Sequence, residues 1–395
     1  MLTLHVSNQL SVLRTMLVHL LKVAPLTHPL AKEQILVQSP GMAQWLRLEL
    51  AREFGIAANV EFPLPASFIW QMFTRVLDDV PASSPYNKAA MSWHLMVLLP
   101  TLLTREHFAP LRHYLQPDGA PIESLRLWQL AQQIADLFDQ YLVYRPDWIA
   151  AWERGEGLAP ELAGATQQQW QPELWRELVD RIVPLASSGY HRANLFADFI
   201  DALASRQDLS ERLPARVLVF GISALPPRYV EALHRLADKI DVHLFITNPC
   251  RHYWGDILDR RALAHLARRL KPGVDIDQYQ GPVNPLLASM GKQGRDYLQQ
   301  LLELDANEIP VFAERCDDTD RPAPLLAAIQ QDVLDLTDRG GVLTDPDRST
   351  HKTAIAVDDR SLQIHACHGA MRELEVLNDQ LLAMFEADPT LTPKE

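Results

Sequence analysis

The alternation of strand-like and helix-like periods in the first eighty residues constrains this chain more than any other feature. Leu2, Leu4 and Val6 alternate with polar neighbours, as in a short strand. A helical face follows at Leu10, Leu13, Leu17, Leu20 and Leu21, with Ser7 as its expected cap. A second strand, Ile35-Leu36-Val37, ends at Gln38, and Ser39-Pro40 has the form of an N-cap and first helical residue. The next helix, residues 41–54, is expected to bury Met42, Trp45, Leu46 and Leu50. A strand over 56–62, a Pro63-Leu64-Pro65 turn and a helix over 68–78 capped by Ser67 complete the series. Strand and helix in strict alternation mean a parallel sheet with covering helices.

The period then changes. Residues 87–203 read as helices only: 89–103 with Trp93, Met96 and Leu99 inward, 124–144 with Leu127, Leu130, Ile134, Leu137, Phe138 and Tyr141, and two more around Trp170, Trp175, Val179 and Leu195, Phe196, Ile200, Leu203. Strands return at 217–220 and 242–246, separated by a helix of Tyr229, Leu233 and Leu236. Helices over 261–270 and 284–304 complete this unit. The simplest organisation is an α/β core in two parts, 1–80 and 206–304, with a helical domain, 81–205, inserted between them. Residues 305–359 turn acidic and rich in Pro and Gly, as in a linker carrying one helix at 325–336. A strand at 362–364 and a helix at 371–385 then read as the start of a second α/β domain, 360–395, too short to bury a core.

Composition excludes several classes. Hydrophobic residues make up 47% and charged residues 22% of 395, ordinary globular values. No apolar run approaches a membrane span, and the N-terminus does not read as a signal peptide. Three widely spaced cysteines imply no disulfide framework, so a reducing cytoplasm is expected. A net charge of −13 argues against tight, non-specific DNA binding by this chain alone, because such proteins are usually basic.

Strand–turn–helix units in this order point to a P-loop core whose chemistry is missing. A phosphate site needs a Gly-rich loop ending in Lys-Ser/Thr after the first strand. Here that strand runs into Val6-Ser7-Asn8-Gln9-Leu10, without Gly or Lys. The strand that should end in a metal-binding carboxylate reads Val217-Leu218-Val219-Phe220-Gly221, with Gly221 near the Asp position. The pair Gly291-Lys292 lies in a helical stretch and lacks the earlier Gly. No cofactor or metal is expected: His365, Cys367 and His368 lack a fourth ligand nearby. The run Arg260, Arg261, Arg268, Arg269, Lys271 reads first as a solvated helix face.

Seven segments closely resemble the RecC family, the gamma chains of exodeoxyribonuclease V: 35–46 (ILVQSPGMAQWL), 54–70 (FGIAANVEFPLPASFIW), 136–148 (DLFDQYLVYRPDW), 191–195 (HRANL), 220–227 (FGISALPP), 247–256 (TNPCRHYWGD) and 284–297 (NPLLASMGKQGRDY). They span nearly the whole chain in order, and full-length members of the family continue well past residue 395. The resemblance implies a degenerate P-loop core of superfamily 1 helicase type without its ATP site, an inserted helical domain, and the start of a second core domain. It implies a non-catalytic subunit of an ATP-dependent helicase and exonuclease for double-strand break repair and recombination. Such a subunit scaffolds a RecB-like beta chain and a RecD-like alpha chain, holds single-stranded DNA and recognises the octamer Chi.

The resemblance places the reading surface on Gln38, Gln44, Leu64, Trp70, Asp136, Leu137, Asp139, Arg145 and Arg192. Pro40 stands where a family relative has Thr, so no hydroxyl contact is carried over to that position. These residue types suit the reading of bases: Gln pairs base edges, Arg meets phosphate or guanine, Asp accepts from amino groups and Trp stacks. Taken alone, Trp70, next to Phe68, Ile69 and Phe73, reads as core. Asp136 and Asp139 read as a solvated helix edge, and Arg145 as a helix-end residue before Pro146. Two other functions remain open: an active helicase or nuclease, which would need a Walker lysine or an acidic metal cluster, and an assembly scaffold that does not touch DNA.

Overall fold

A computed structural model describes residues 1–28, 30–158, 166–186, 190–206, 208–209, 211–258, 284–315, 323–339 and 354–391. Its centre is one sheet of six strands: β1 (Leu2–Ser7), β2 (Glu33–Leu36), β3 (Val60–Glu61), β4 (Arg216–Phe220), β5 (Asp241–Thr247) and β6 (Asn307–Pro310). Their order is β3-β2-β4-β5-β1-β6, and every neighbouring pair is parallel. A parallel sheet is covered on both faces, so its central strands are apolar nearly throughout; β1, β4 and most of β5 are buried along their length.

Strand period two divides the core cleanly. On one face Ile35, Val37, Leu218, Phe220 and Phe245 pack under α1 (Leu10–Val23) and α2 (Pro40–Phe54). Ser39 caps α2 by accepting from the Met42 N–H at 3.2 Å, with Pro40 at the first helical position, as the sequence predicts. Leu46 and Leu50 are buried, whereas Met42 and Trp45 are only partly so. On the opposite face Leu2, Leu4, Val6, Leu36, Val217, Val219, Val242, Leu244 and Ile246 meet α3 (Pro65–Val76), which begins at Pro65 and so encloses Ser67.

The chain then leaves the sheet. The helices α4 (Lys88–Leu102), α5 (Ala109–Leu115), α6 (Ser124–Tyr144), α7 (Pro146–Glu153) and α8 (Trp170–Ala186) close around a separate core. That core is strongly aromatic: Tyr86, Phe108, Phe138, Trp152 and Trp175 are all fully buried. Trp93, expected inward, is 62% exposed and rests on Trp128 with ring centroids 4.8 Å apart. Helix α4 is apolar on most sides, and its buried line runs through Met91, Leu95, Leu99 and Leu102 instead.

The sequence pattern assigns the following helix, α9 (Arg192–Ser205), to the insertion. It joins the two units: Leu195, Phe196, Phe199 and Leu203 pack with α3 and α10 (Pro227–Ala237) in the sheet's core, while its start also meets α6 and α7 of the insertion. The single helix expected over 284–304 is two, α11 (Pro285–Met290) and α12 (Lys292–Leu302), divided at Gly291. A Cβ there would collide with the Leu287 carbonyl oxygen and lie 2.9 Å from the Trp254 ring, so the close approach requires glycine. The helix expected over 261–270 and its basic run lie outside the described residues.

Three further expectations change. The strand expected over 56–62 is reduced to the two residues of β3. The stretch read as a linker contains β6, whose residues are exposed and lack alternation. The one helix expected in that stretch is present as α13 (Leu325–Leu334), and it docks: Leu334, and Leu336 just past its end, are buried with Cys250, Trp254, Ile257 and Leu287. Arg251 ties this corner by ion pairs to Glu314 at 2.6 Å and Asp335 at 3.1 Å. Residues 362–364 are not a strand, having no described partner strand to complete a ladder. The last helix, α14 (Ala370–Ala387), buries none of its residues; Met371, Leu374, Leu377 and Leu382 are all exposed. Among the described residues no helix is long and apolar enough to cross a membrane.

Candidate nucleic-acid interface

Ligands of open parallel sheets bind beyond the carboxyl ends of the strands, and this sheet treats two such ends differently. At the end of β1, where a phosphate loop would stand, the chain is latched shut. The Asn8 amide donates to the Ala313 carbonyl at 2.8 Å and its oxygen accepts from the Ala313 N–H at 2.9 Å. Arg315 closes the same turn by donating to the Asn8 carbonyl at 2.8 Å. Ser7 does not cap α1; its hydroxyl accepts from the Gln9 N–H at 3.2 Å. Gly221, at the end of β4, has φ +63, and a Cβ on it would lie 3.4 Å from Leu10 and 3.5 Å from Met42. These are ordinary contacts, so a carboxylate-bearing side chain is disfavoured there by the backbone conformation alone.

The ends of β2 and β4 open into a cleft of about 720 Å³. Gln38 enters it from β2, residues 224–227 from β4, Tyr144 from the last turn of α6, and Met290, Gln293 and Gln300 from α11 and α12. Of the expected reading residues, Gln38 alone lines this cleft. Gln38 and Gln44 are exposed, and Leu64 is exposed at the start of α3. Leu137 is partly buried. Trp70 is the correction: it is 8% exposed, its ring packs edge-on to Phe73, and its indole N–H donates to the Pro81 carbonyl at 3.0 Å. Its helix also buries Phe68, Ile69, Met72, Phe73 and Val76, and this amphipathic face carries Trp70 into the core. In this arrangement the ring offers no stacking face.

The insertion's charged residues are paired. Lys88 donates to Asp136 at 2.5 Å, and this ammonium holds the Asp136 carboxyl below the usual carboxylate range. Arg192 meets Asp139 at 2.5 Å, bridging α9 to α6. The ring of Trp148 lies 3.7 Å beneath the Arg145 guanidinium, which also pairs with Asp147 at 3.2 Å. These pairs neutralise carboxylates that would otherwise repel phosphate.

Arg192 owes its position to His191, which the sequence reading included only within a motif. His191 Nδ1 accepts from the Asn194 N–H at 3.3 Å, while Asn194 accepts from the His191 N–H at 2.9 Å, a reciprocal cap for α9. With Nδ1 accepting, the ring proton sits on Nε2 and donates to Glu153 at 2.7 Å. Trp175 donates to the same carboxylate oxygen at 3.1 Å. The start of α9 is therefore fixed by α7 and α8, and the spacing His191-x-x-Asn194 is its only trace in the sequence.

Fold and cleft together define a class: a parallel α/β domain with a helical insertion and a sealed first-strand turn. Within that class the match is specific. The family model described as the RecC N-terminal domain covers residues 2–336, ending where the last described core residue, Leu336, is buried. The chain is similar to the RecBCD enzyme subunit RecC of Escherichia coli (strain K12), 46% identical over all of this chain and 36% of that protein. It is 39% identical to its counterpart in Haemophilus influenzae, again over all of this chain and 38% of the relative. The counterpart in Mycolicibacterium smegmatis is 30% identical over 94% of this chain and 30% of the relative. The chain belongs to the RecC family, and spans a little over a third of the length of the first two of these relatives.

Proposed function

We propose that this chain holds single-stranded DNA and serves as a scaffold in a RecBCD-type helicase and nuclease complex, without ATPase or nuclease chemistry of its own. One observation carries the reading: the strand end where nucleotide phosphates would sit is latched by Asn8, Ala313 and Arg315, while the ends of β2 and β4, on the far side of β5, open into a cleft of mixed polar and apolar lining. The core is then a degenerate helicase-like one, and its partners, a RecB-like beta chain and a RecD-like alpha chain, supply ATP hydrolysis and strand cleavage in the cytoplasm. The relatives' names supply the complex.

The reading surface runs along the rim between core and insertion. Gln38 and Gln44 offer amides to base edges, Leu64 and Leu137 offer apolar contact, and Arg145 and Arg192 offer guanidinium groups. Asp136 and Asp139 read amino groups by exchanging Lys88 and Arg192 for a base. Trp70 supports the rim from below. Chi recognition is selective because few of these groups clamp phosphate, so discrimination comes from bases.

A second reading, assembly without DNA contact, draws on the net charge of −13 and on the internal pairing of the rim's charges. The two separate in one experiment. The full-length chain, with its partner subunits, is titrated with fluorescent single strands carrying or lacking Chi, and photo-crosslinks are mapped. Crosslinks on the rim of this chain are expected; crosslinks confined to the partner subunits would leave only the scaffold.

A further inference from the structure

Resting on the single-strand reading above, we propose that the cleft between α6, the β4 turn and α11–α12 is a pocket for one unstacked nucleotide, with its base among three glutamines and its phosphate at Lys292.

The walls match a nucleobase in shape and chemistry. At about 720 Å³ the cleft falls in the range of small-ligand sites. Tyr144, 60% exposed, offers a ring on one side. Pro226 and Pro227 contribute flat apolar surface, and Met290, 82% exposed, a polarisable thioether. Exposed aromatic and thioether groups gain by covering a π face. Gln38, Gln293 and Gln300 each carry a donor and an acceptor on one planar amide, the pattern that pairs with base edges.

Two observations point to a ligand rather than to an idle groove. The Tyr297 hydroxyl and Gln300 Oε1, both on lining side chains, are buried and have no hydrogen-bond partner among the described residues. Buried polar atoms without partners are rare in folded proteins, and a turn of either side chain toward the cleft lets a base supply the missing contact. Lys292, the lining's cation, is exposed with no ion-pair partner among the described residues, and the lining's one carboxylate, Asp296, follows one turn further along α12. Gly291 sets both neighbours: because its contact with Leu287 and Trp254 admits no side chain, the break between α11 and α12 turns Met290 outward and starts α12 at Lys292. None of Tyr144, Met290, Lys292, Gln293, Tyr297 or Gln300 is among the rim residues that the family resemblance marks.

The test uses the full-length chain in complex with its partner subunits and single strands containing 5-iododeoxyuridine. Irradiation should crosslink the strand to Tyr144 or to peptide 290–300. Tyr144→Ala should abolish that crosslink and weaken binding of the strand to this chain roughly tenfold, the loss of one stacking contact, with assembly unchanged. Lys292→Ala should lower the salt dependence of binding by about one phosphate contact. Tyr297→Phe, which removes only the hydroxyl, should lower base discrimination without unfolding. Crosslinks elsewhere on this chain, unaffected by Tyr144→Ala, overturn the pocket and leave the single-strand reading standing. The absence of any crosslink on this chain overturns both.

Discussion

Two ends of one sheet, a few strands apart, have opposite characters. At β1 the turn is sealed by a side chain reaching a segment 305 residues further on. At β2 and β4 the ends stand open under the helical insertion. Under the proposed reading, a parallel α/β scaffold keeps its strand order while its ligand site lies elsewhere along the rim. Sealing one end also braces the edge strand β6, since the chain after β6 is what Asn8 holds.

The closed side should show the largest effect, under acid. His5 on β1 stacks on Phe245 at 4.3 Å and lies 3.2 Å from His243 Nδ1. Burial, and then the neighbouring His243, lower its pKa from 6.5 to about 4. The fold thus favours the neutral ring, so the stability it protects is complete above pH 6.5 and drains as pH falls toward 4. At 1.36 kcal/mol per unit the loss reaches about 3 kcal/mol. Urea midpoints measured between about pH 7.5 and 4 should fall accordingly, and His5→Gln should flatten the slope. An unchanged slope in that variant would assign the acid sensitivity elsewhere.

Next comes the latch. Asn8→Ala removes both contacts with Ala313 and should cost about 1–3 kcal/mol, with faster amide exchange at residues 311–313. It should not create nucleotide binding. A variant that bound Mg-ATP would mean that the latch hides a working site and would break the contrast between the two ends. The smallest effect is expected at Gly221. Gly221→Asp introduces a carboxylate but places a side chain at φ +63, costing about 1–2 kcal/mol. ATP hydrolysis by the chain should stay absent; its appearance would show that only this carboxylate was missing.

The fold is legible wherever periodicity has one meaning. Alternation in β1 and the Ser39-Pro40 signature locate their elements, because strand period and capping leave local marks, although alternation does not reveal that Thr3, His5 and Ser7 are buried as well. β6 leaves none: Asn307, Glu308, Ile309 and Pro310 form an exposed edge, and only pairing with β1 makes them a strand. Trp93 reads as inward because a helix apolar on most sides does not reveal which side faces the core. Helix α14 has a clear amphipathic pattern and no described partner, so its period is readable and its environment is not.

The site divides in the same way. Gln38, assigned by the resemblance, stands at a strand end, where ligands of parallel sheets bind. Resemblance assigns Trp70 to the surface, while its own sequence context, an amphipathic helix, gives the core position that the structure has. The cleft joins residues 38, 144, 224–227 and 290–300, which only the tertiary fold brings together.

Hydrogen exchange on the assembled full-length chain measures both strand ends at once. Single-stranded DNA should slow exchange in residues 222–227 and 290–300, while a non-hydrolysable Mg-ATP analogue should leave residues 6–13 unchanged. Protection of 6–13 by the nucleotide, with the cleft segments indifferent to DNA, would mean that the β1 end is the working site and the open cleft is not.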